Sequence, residues 1–224
     1  MRRFLFQNSL SVFFFVLLMA SLAGQSLAGL GQYNAEQRQH DGQTISWADY
    51  VTSAEFWGAV MENWQSEFLQ FTAFILATVW LVQRGSNESK QPESAGVESD
   101  QKQKVGGYAE GDSPSWARTR GWRTRIYENS LLLVMTVCFF ASWAAQSIAE
   151  WRVFNADQRE HGEPAISWGS YLLDPDFWEK TLQNWQSEFL AVGTMAVFTI
   201  YLRQRGSPES KPVGAPHDQT GTSG

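Results

Sequence analysis

The sequence has few of the residues from which catalytic and metal sites are usually built. Its 224 residues include one cysteine, Cys138, and three histidines, His40, His161 and His217. A single cysteine excludes a disulfide within the chain and a zinc site made of several cysteines. We find no phosphate-binding glycine loop, no nucleophile elbow and no catalytic Cys–His pair. These absences make an enzyme the less favoured class.

Charge is scarce as well. Charged residues make up 18% of the chain, against about 25% in an average soluble domain. The net charge of −6 excludes a generally basic nucleic-acid-binding protein. Aromatic residues are abundant instead: 11 Trp, 15 Phe and 6 Tyr exclude a chain that is disordered throughout.

The chain contains a tandem duplication. Residues 8–90 align without a gap with residues 129–211, and 37 of the 83 aligned positions are identical. The longest shared segment is NWQSEFL, at residues 63–69 and 184–190. Chance does not give such self-similarity at a fixed period, so each inference about one repeat is tested again in the other. The stretches 91–120 and 212–224 are polar and rich in Ser, Gly and charged residues, which predicts a disordered linker and tail.

Each repeat carries two apolar blocks. The first blocks, about residues 9–30 and 129–150, are nearly free of charge and long enough to cross a bilayer. The second blocks, about residues 65–83 and 186–204, are shorter, but an aromatic stretch precedes each, and Asp174-Pro175-Asp176 is typical of a helix start. We therefore predict an all-α membrane protein whose four transmembrane helices form two tandem helical hairpins, related by a pseudo-twofold axis along the membrane normal.

The first block has an alternative interpretation as a cleaved signal peptide, because two arginines precede an apolar run that ends in small residues. Its counterpart lies inside the chain and cannot be one, which favours retention. With the N-terminus in the cytoplasm, 13 of the 17 Lys and Arg residues lie on the cytoplasmic side. We therefore expect both termini and the linker to be cytoplasmic in a multi-pass protein.

Aromatic residues cluster between the spans of each repeat. We interpret them as an interfacial belt, with an aromatic ligand cage as the alternative. They are Trp47, Tyr50, Phe56, Trp57 and Trp64, which recur as Trp168, Tyr171, Phe177, Trp178 and Trp185.

Recurring polar residues in the predicted spans form the candidate site. In the second helix an Asn, a Glu four residues later and a Thr eleven residues after the Glu share one face. A carboxylate near membrane depth suggests a proton or cation relay, and the alternative is a hydrated carboxylate at the interface. In the first span a lone amide is expected to hydrogen-bond to another helix. The residues are Asn63, Glu67, Thr78 and Gln25, with counterparts Asn184, Glu188, Thr199 and Gln146.

Small residues four apart line the first span of each repeat, and we predict that other helices pack closely there. They are Ala20, Gly24 and Ala28 in one repeat and Ala141, Ala145 and Ala149 in the other. The outer loops hold His40 and His161 near acidic residues, but one histidine per repeat without metal-ligand spacing is a weak metal signal. We predict no metal ion and no cofactor. Haem is disfavoured because no histidine lies within a span.

The sequence FW, NWQSEFL, an apolar run and RQRGSPESK resembles a family of small uncharacterised bacterial integral membrane proteins, a domain of unknown function. The resemblance covers both repeats. It implies a protein of the bacterial inner membrane and transfers no activity and no site residue.

The leading hypothesis is a non-enzymatic protein of the lipid bilayer that acts through helix packing, a protein partner or homo-oligomerisation. The alternative is a small transporter or channel that uses Glu67 and Glu188. An envelope enzyme with an outer-face site is a third hypothesis.

Overall fold

A computed structural model describes residues 2–221, and over these residues it contains eight α-helices and no strand. The last three residues of the tail predicted over 212–224 lie outside the described residues. The helices are α1 (Arg2–Gln7), α2 (Ser9–Gln39), α3 (Trp47–Tyr50), α4 (Ala54–Trp80), α5 (Trp122–Glu128), α6 (Ser130–Glu160), α7 (Trp168–Tyr171) and α8 (Pro175–Tyr201). The all-α prediction is confirmed for this part of the chain.

The helices repeat with the sequence. Both α2 and α6 have 31 residues, both α3 and α7 have 4, and both α4 and α8 have 27. Each of these pairs begins and ends at aligned positions of the two repeats. The sequence duplication is therefore also a duplication of secondary structure.

Helix α8 begins where the sequence predicts. The Asp174 carboxylate accepts a hydrogen bond from the Asp176 backbone N–H at 2.9 Å, and Pro175 occupies the first turn, where no amide hydrogen is needed. From there one helix continues to Tyr201, as predicted. Helix α3 begins with a capping box, in which the side chain of Ser46 accepts from the Asp49 backbone and Asp49 accepts from Ser46 in return.

An asparagine closes the loop after the first long helix of each repeat. Asn34 accepts from the Ile45 backbone N–H at 2.8 Å and donates to the Ile45 carbonyl oxygen at 3.0 Å. Asn155 makes the same two bonds with Ile166, again at 2.8 and 3.0 Å. In each loop the asparagine amide therefore pairs with backbone N–H and C=O groups of an isoleucine that lies outside the helices.

A tryptophan then ties each loop back to its helix. Trp47 Nε1 donates to Ser26 Oγ at 3.0 Å, and Trp168 Nε1 donates to Ser147 Oγ at 3.2 Å. The loop therefore has the same internal anchors in both repeats.

Among residues 2–221, two helices are long and apolar enough to cross a membrane by length and composition, namely Ser9–Gln39 and Ser130–Glu160. Of their most apolar windows, only 6% and 22% of the residues are buried. Helices α4 and α8 are not among them. The prediction of four spans is thus supported for two helices. The physical reason is that NWQSEFL leaves α4 and α8 with apolar segments of only about 15 residues, short for a span.

The chain divides into two compact units: Met1–Val60 with Ala145–Trp168, and Met61–Ala144 with Gly169–Gly224. In the first unit the buried apolar side chains include Tyr50, Phe56 and Val60. In the second they include Phe139, Tyr171 and Phe177. The linker belongs to the second unit and contains two short 3-10 helices, Pro92–Ser94 and Gly106–Tyr108. Its disorder, and that of the tail, stays a prediction.

Candidate functional site

The two NWQSEFL segments contact each other within the second unit. Trp185 Nε1 donates to Gln65 Oε1 at 2.8 Å, and the Gln65 amide donates to the Glu62 carbonyl oxygen at 3.1 Å. The Gln65 side chain is fully buried. The amide oxygen therefore links α4 to α8, while the amide nitrogen bonds within α4, a structural role that the sequence did not reveal.

The predicted site residues of the second helices lie at the same contact. Asn184 Nδ2 donates to Glu62 Oε1 at 2.6 Å, and Gln70 Nε2 donates to the Glu188 carbonyl oxygen at 3.3 Å. Asn63 and Glu67 are exposed, whereas Asn184 and Glu188 are partly buried. Glu67 and Glu188, at aligned positions of the two repeats, therefore lie on helix segments that contact each other.

The threonines of the predicted polar stripe have other partners. Thr78 Oγ1 donates to the Phe74 carbonyl oxygen of its own helix at 2.8 Å. Thr199 is buried, and its hydroxyl lies 3.0 Å from Ser86 Oγ and accepts from the Asn87 N–H at 3.4 Å. These hydroxyls satisfy backbone and loop groups rather than continuing a stripe from the glutamates.

The amides predicted in the first spans differ from each other. Gln25 is partly buried, whereas Gln146 is completely buried and neither its Nε2 nor its Oε1 has a hydrogen-bond partner within residues 2–221. The bond expected from Gln146 to another helix is therefore not formed.

The small-residue strips are mostly open. Ala20, Gly24 and Ala28 of α2 are exposed, as are Ala141 and Ala145 of α6, while Ala149 is partly buried. Within the described part of the chain, a Cβ added at Gly24 would meet no atom within 4 Å. The strips therefore remain available to a helix from another molecule.

The ten aromatic residues predicted as a belt divide in the same way in both repeats: four are buried, four are exposed, and Trp64 and Trp185 are partly buried. Tyr50, Phe56, Tyr171 and Phe177 are buried. Their rings pack edge-on in pairs, with centroids 5.8 and 5.7 Å apart. The belt interpretation is wrong for these four residues because they form packed cores. Trp47, Trp57, Trp168 and Trp178 are exposed, as a belt requires.

The outer histidines do not meet the geometry of a metal site. His161 Nδ1 lies 2.9 Å from the Asp157 carbonyl oxygen and 3.4 Å from the Asp157 carboxylate, which together raise the pKa of His161. The ring thus bonds to the C-terminal turn of α6. Among the described residues, no group of three or more His, Cys, Asp or Glu side chains is arranged to hold a metal ion.

Each repeat ends in a loop of the sequence QRGSNESK or QRGSPESK, residues 83–90 and 204–211, which we call the QRGS loops. In both loops the Gln backbone N–H donates to the last Ser hydroxyl, and the Glu N–H donates to the first Ser hydroxyl. These distances are 2.8 and 3.1 Å in the first loop and 2.9 and 3.2 Å in the second. Gly85 and Gly206 have φ of 86° and 82°, which only glycine adopts easily.

The glutamates of the QRGS loops lie at a cavity in the second unit. Its volume is about 230 Å³, and its described lining comprises Gln70, Phe71, Phe74, Glu88, Ala191, Val192, Met195 and Glu209. These are aligned positions of the two repeats, taken in pairs. Burial and the neighbouring Glu209 carboxylate raise the pKa of Glu88 above its usual range. One feature of the sequence could have indicated the Glu88–Glu209 pair: a glutamate occupies this aligned position in both repeats. Because both glutamates lie in polar loop sequences, the feature did not stand out.

The arrangement is a carboxyl pair beside apolar and aromatic walls. It can hold a proton between the two groups or attract a positive charge. No curated protein and no solved structure matches the chain. A family described as a domain of unknown function (DUF6766) matches residues 1–222, which is nearly the whole length. The chain therefore belongs to this family of unknown function.

Proposed function

We propose that the chain is a multi-pass protein of the bacterial inner membrane, with four spans in two tandem helical hairpins related by a pseudo-twofold axis along the membrane normal. The termini and the linker are cytoplasmic. The protein acts without catalysis, by packing its spans against a second copy or another protein in the bilayer.

The observation that carries the proposal is the exposure of the long apolar helices. A core helix of a soluble protein is mostly buried, whereas the most apolar windows of α2 and α6 are 6% and 22% buried. Side chains such as Leu10, Phe14, Val137 and Phe140 are more than half exposed. Contiguous apolar surface of this kind is stable in lipid or against a partner.

Helices α4 and α8 also expose large apolar side chains in their C-terminal halves. Leu76, Trp80, Leu190 and Phe198 are exposed by 51%, 60%, 71% and 52%. These helices are too short in apolar sequence to be assigned as spans alone, but the polar NWQSEFL segments that shorten them are paired with each other. Satisfied polar groups can enter the interfacial region of a membrane at low cost.

The pseudo-twofold relation is supported by the cavity. A twofold axis between two equivalent helices places aligned positions opposite each other. The described lining of the cavity consists of such positions from α4, α8 and the two QRGS loops. Two helices that are not related by a twofold axis are not expected to bring aligned positions of the two repeats together.

Topology is tested with single cysteines in a Cys138→Ala background. Gln43→Cys and Glu163→Cys, both at exposed positions between the spans, should react with a membrane-impermeant thiol reagent in intact cells. Ser99→Cys and Gly214→Cys should react only after lysis. If α2 and α6 alone crossed the membrane, Ser99→Cys would react and Glu163→Cys would be protected. Mass spectrometry of the extracted protein tests retention of the first span, since cleavage gives an N-terminus near Leu30.

Self-association is tested at the small-residue strips. Gly24→Leu and Ala141→Leu should reduce energy transfer between labelled copies in liposomes, because a large side chain separates helices that pack through small residues. Phe15→Leu, on the opposite face of α2 from Gly24, is the control and should leave the transfer unchanged. Equal transfer in all variants and the parent would exclude a second copy at these strips and leave another protein as the partner.

One observation favours transport as a second candidate function. Glu67 and Glu188 are equivalent carboxylates on two NWQSEFL segments that contact each other. If they conduct protons or cations, Glu67→Gln and Glu188→Gln should each change flux in proteoliposomes without loss of folding. A double variant with the flux and stability of the parent would exclude this candidate.

A further inference from the structure

The cavity between α4 and α8 has a composition that neither candidate function uses. Phe71, Phe74, Val192 and Met195 form apolar walls, and Glu88 and Glu209 contribute the charged groups. Its volume of about 230 Å³ is below the range of about 300–1,000 Å³ typical of pockets for drug-sized ligands. A small molecule or one end of a longer molecule fits it.

The two carboxyl groups are placed to meet a ligand rather than a protein cation. Glu88 and Glu209 both line this cavity. The Oε1 atom of Glu88 is buried and has no hydrogen-bond partner among the described residues. A buried acceptor without a partner costs free energy, and a donor on a bound molecule would remove that cost.

The walls indicate which kind of cation this is. Magnesium and calcium ions require about six oxygen ligands, and this cavity offers two carboxyl groups and the Gln70 amide among apolar side chains. An alkylammonium group suits the site better, because aromatic faces attract it and its carbon substituents remove apolar surface from water. The Gln70 Nε2 already donates to the Glu188 carbonyl oxygen, so the amide oxygen is the group left to accept from an ammonium.

We propose that this cavity binds a small organic ammonium ion, with the charged nitrogen at Glu88 and Glu209 and the apolar body against Phe71, Phe74 and Met195. The site holds whether the protein acts through partners or by transport, because it does not involve the carboxylates of Glu67 and Glu188 or the small-residue strips. The ammonium group belongs either to a free amine or to the headgroup of an aminophospholipid.

Calorimetry on the full chain in a non-ionic detergent tests the site with 2-phenylethylammonium. The neutral analogue 2-phenylethanol has the same apolar body and serves as the ligand control. The amine should bind, the alcohol should bind at least about tenfold more weakly, and Glu88→Gln or Glu209→Gln should each weaken amine binding by about fivefold to tenfold. Glu93→Gln, which changes an exposed glutamate in a neighbouring loop, should bind like the parent.

A cavity-filling variant, Ala191→Phe, gives an independent measurement and should abolish binding of the amine while the loop carboxylates remain. Adding phosphatidylethanolamine to the micelles distinguishes the sources: competition with the amine indicates the lipid headgroup, and unchanged affinity indicates a free amine. Equal binding of amine and alcohol, or parent-like affinity in both Gln variants or in Ala191→Phe, would overturn the proposal.

Discussion

The two QRGS loops have the same internal hydrogen bonds but different surroundings. Lys211, at the end of the second loop, is 1% exposed, and its ammonium donates to the carbonyl oxygens of Gly85, Pro216, His217 and Gln219 at 2.6–3.2 Å. Lys90, its counterpart, has a side chain that is 32% exposed.

The Lys90 ammonium donates to the Gly96 carbonyl oxygen at 3.1 Å and lies 3.7 Å from the Glu98 carboxylate. Eight nearly identical residues therefore make the same loop twice, while the segments that follow determine how deeply each lysine is buried. The motif itself thus determines the hydrogen bonds within the loop, and the segments packed around it determine the burial of its lysine.

The largest change in stability is expected for substitution of Lys211. Lys211→Met removes a buried ammonium that donates to four carbonyl oxygens, and it should lower the free energy of unfolding by about 2–3 kcal/mol. Lys90→Met removes a partly exposed ammonium and should cost less than about 1 kcal/mol. Unfolding in mixed detergent micelles measures both. Equal losses would show that the tail does not enclose Lys211.

Substitution of the two loop asparagines, Asn34 and Asn155, should lower the free energy of unfolding by more similar amounts. Asn155→Ala leaves the Ile166 N–H unpaired, whereas the Ile166 carbonyl oxygen still accepts from Trp151 Nε1 at 2.8 Å. The change should cost about 2 kcal/mol, since Asn155 is buried. Asn34→Ala removes the same bonds at a partly buried position and should cost about 1 kcal/mol. The same unfolding assay applies, and Gln39→Ala, at an exposed position, is the control. A loss at only one asparagine would contradict the structural equivalence of the loops.

Gln146 and Gln25 give an effect of opposite sign. Gln146→Leu replaces a buried amide that has no partner in the described chain, and it should raise the free energy of unfolding by about 1 kcal/mol. Gln25→Leu, at a partly buried position, should have little effect. Thermal denaturation in detergent would show the difference, and a destabilised Gln146→Leu would indicate that the amide binds water or another molecule.

The smallest effect concerns the pH dependence of Glu88. Its pKa in the folded protein is raised above the reference value of 4.5 by burial and by Glu209. The stability that the protonated carboxyl contributes is complete below the unfolded pKa and is lost as the pH rises through the folded pKa. Glu88→Gln stays neutral and should flatten the decline in Tm as the pH rises above 4.5, whereas Glu93→Gln should follow the parent.

Much of the fold could be predicted from residues close together in the chain. The duplication fixed paired elements, the uncharged blocks indicated long helices, and Asp174-Pro175-Asp176 marked where α8 begins. Helix caps and apolar runs depend on neighbours within a few turns, so a single sequence is sufficient to find them.

The candidate site was less predictable. Sequence reasoning selected Glu67 and Glu188 from their position in the predicted spans, and a role for these two carboxylates stays a prediction. It did not find the Trp185–Gln65 bond or the Glu88–Glu209 pair, because each joins residues about 120 positions apart. The spacing of apolar residues along one helix does not indicate which face of a distant helix packs against it.

The sequence by itself determined the duplication, the helices and the apolar character of α2 and α6, because composition and local hydrogen bonding decide these. Only the tertiary structure decided that Gln65 lies buried at a helix contact, that Gln146 has no partner among the described residues, and that Lys211 is enclosed where Lys90 is open. Burial depends on which distant segments approach a residue. Two repeats with nearly the same local sequence therefore have different environments.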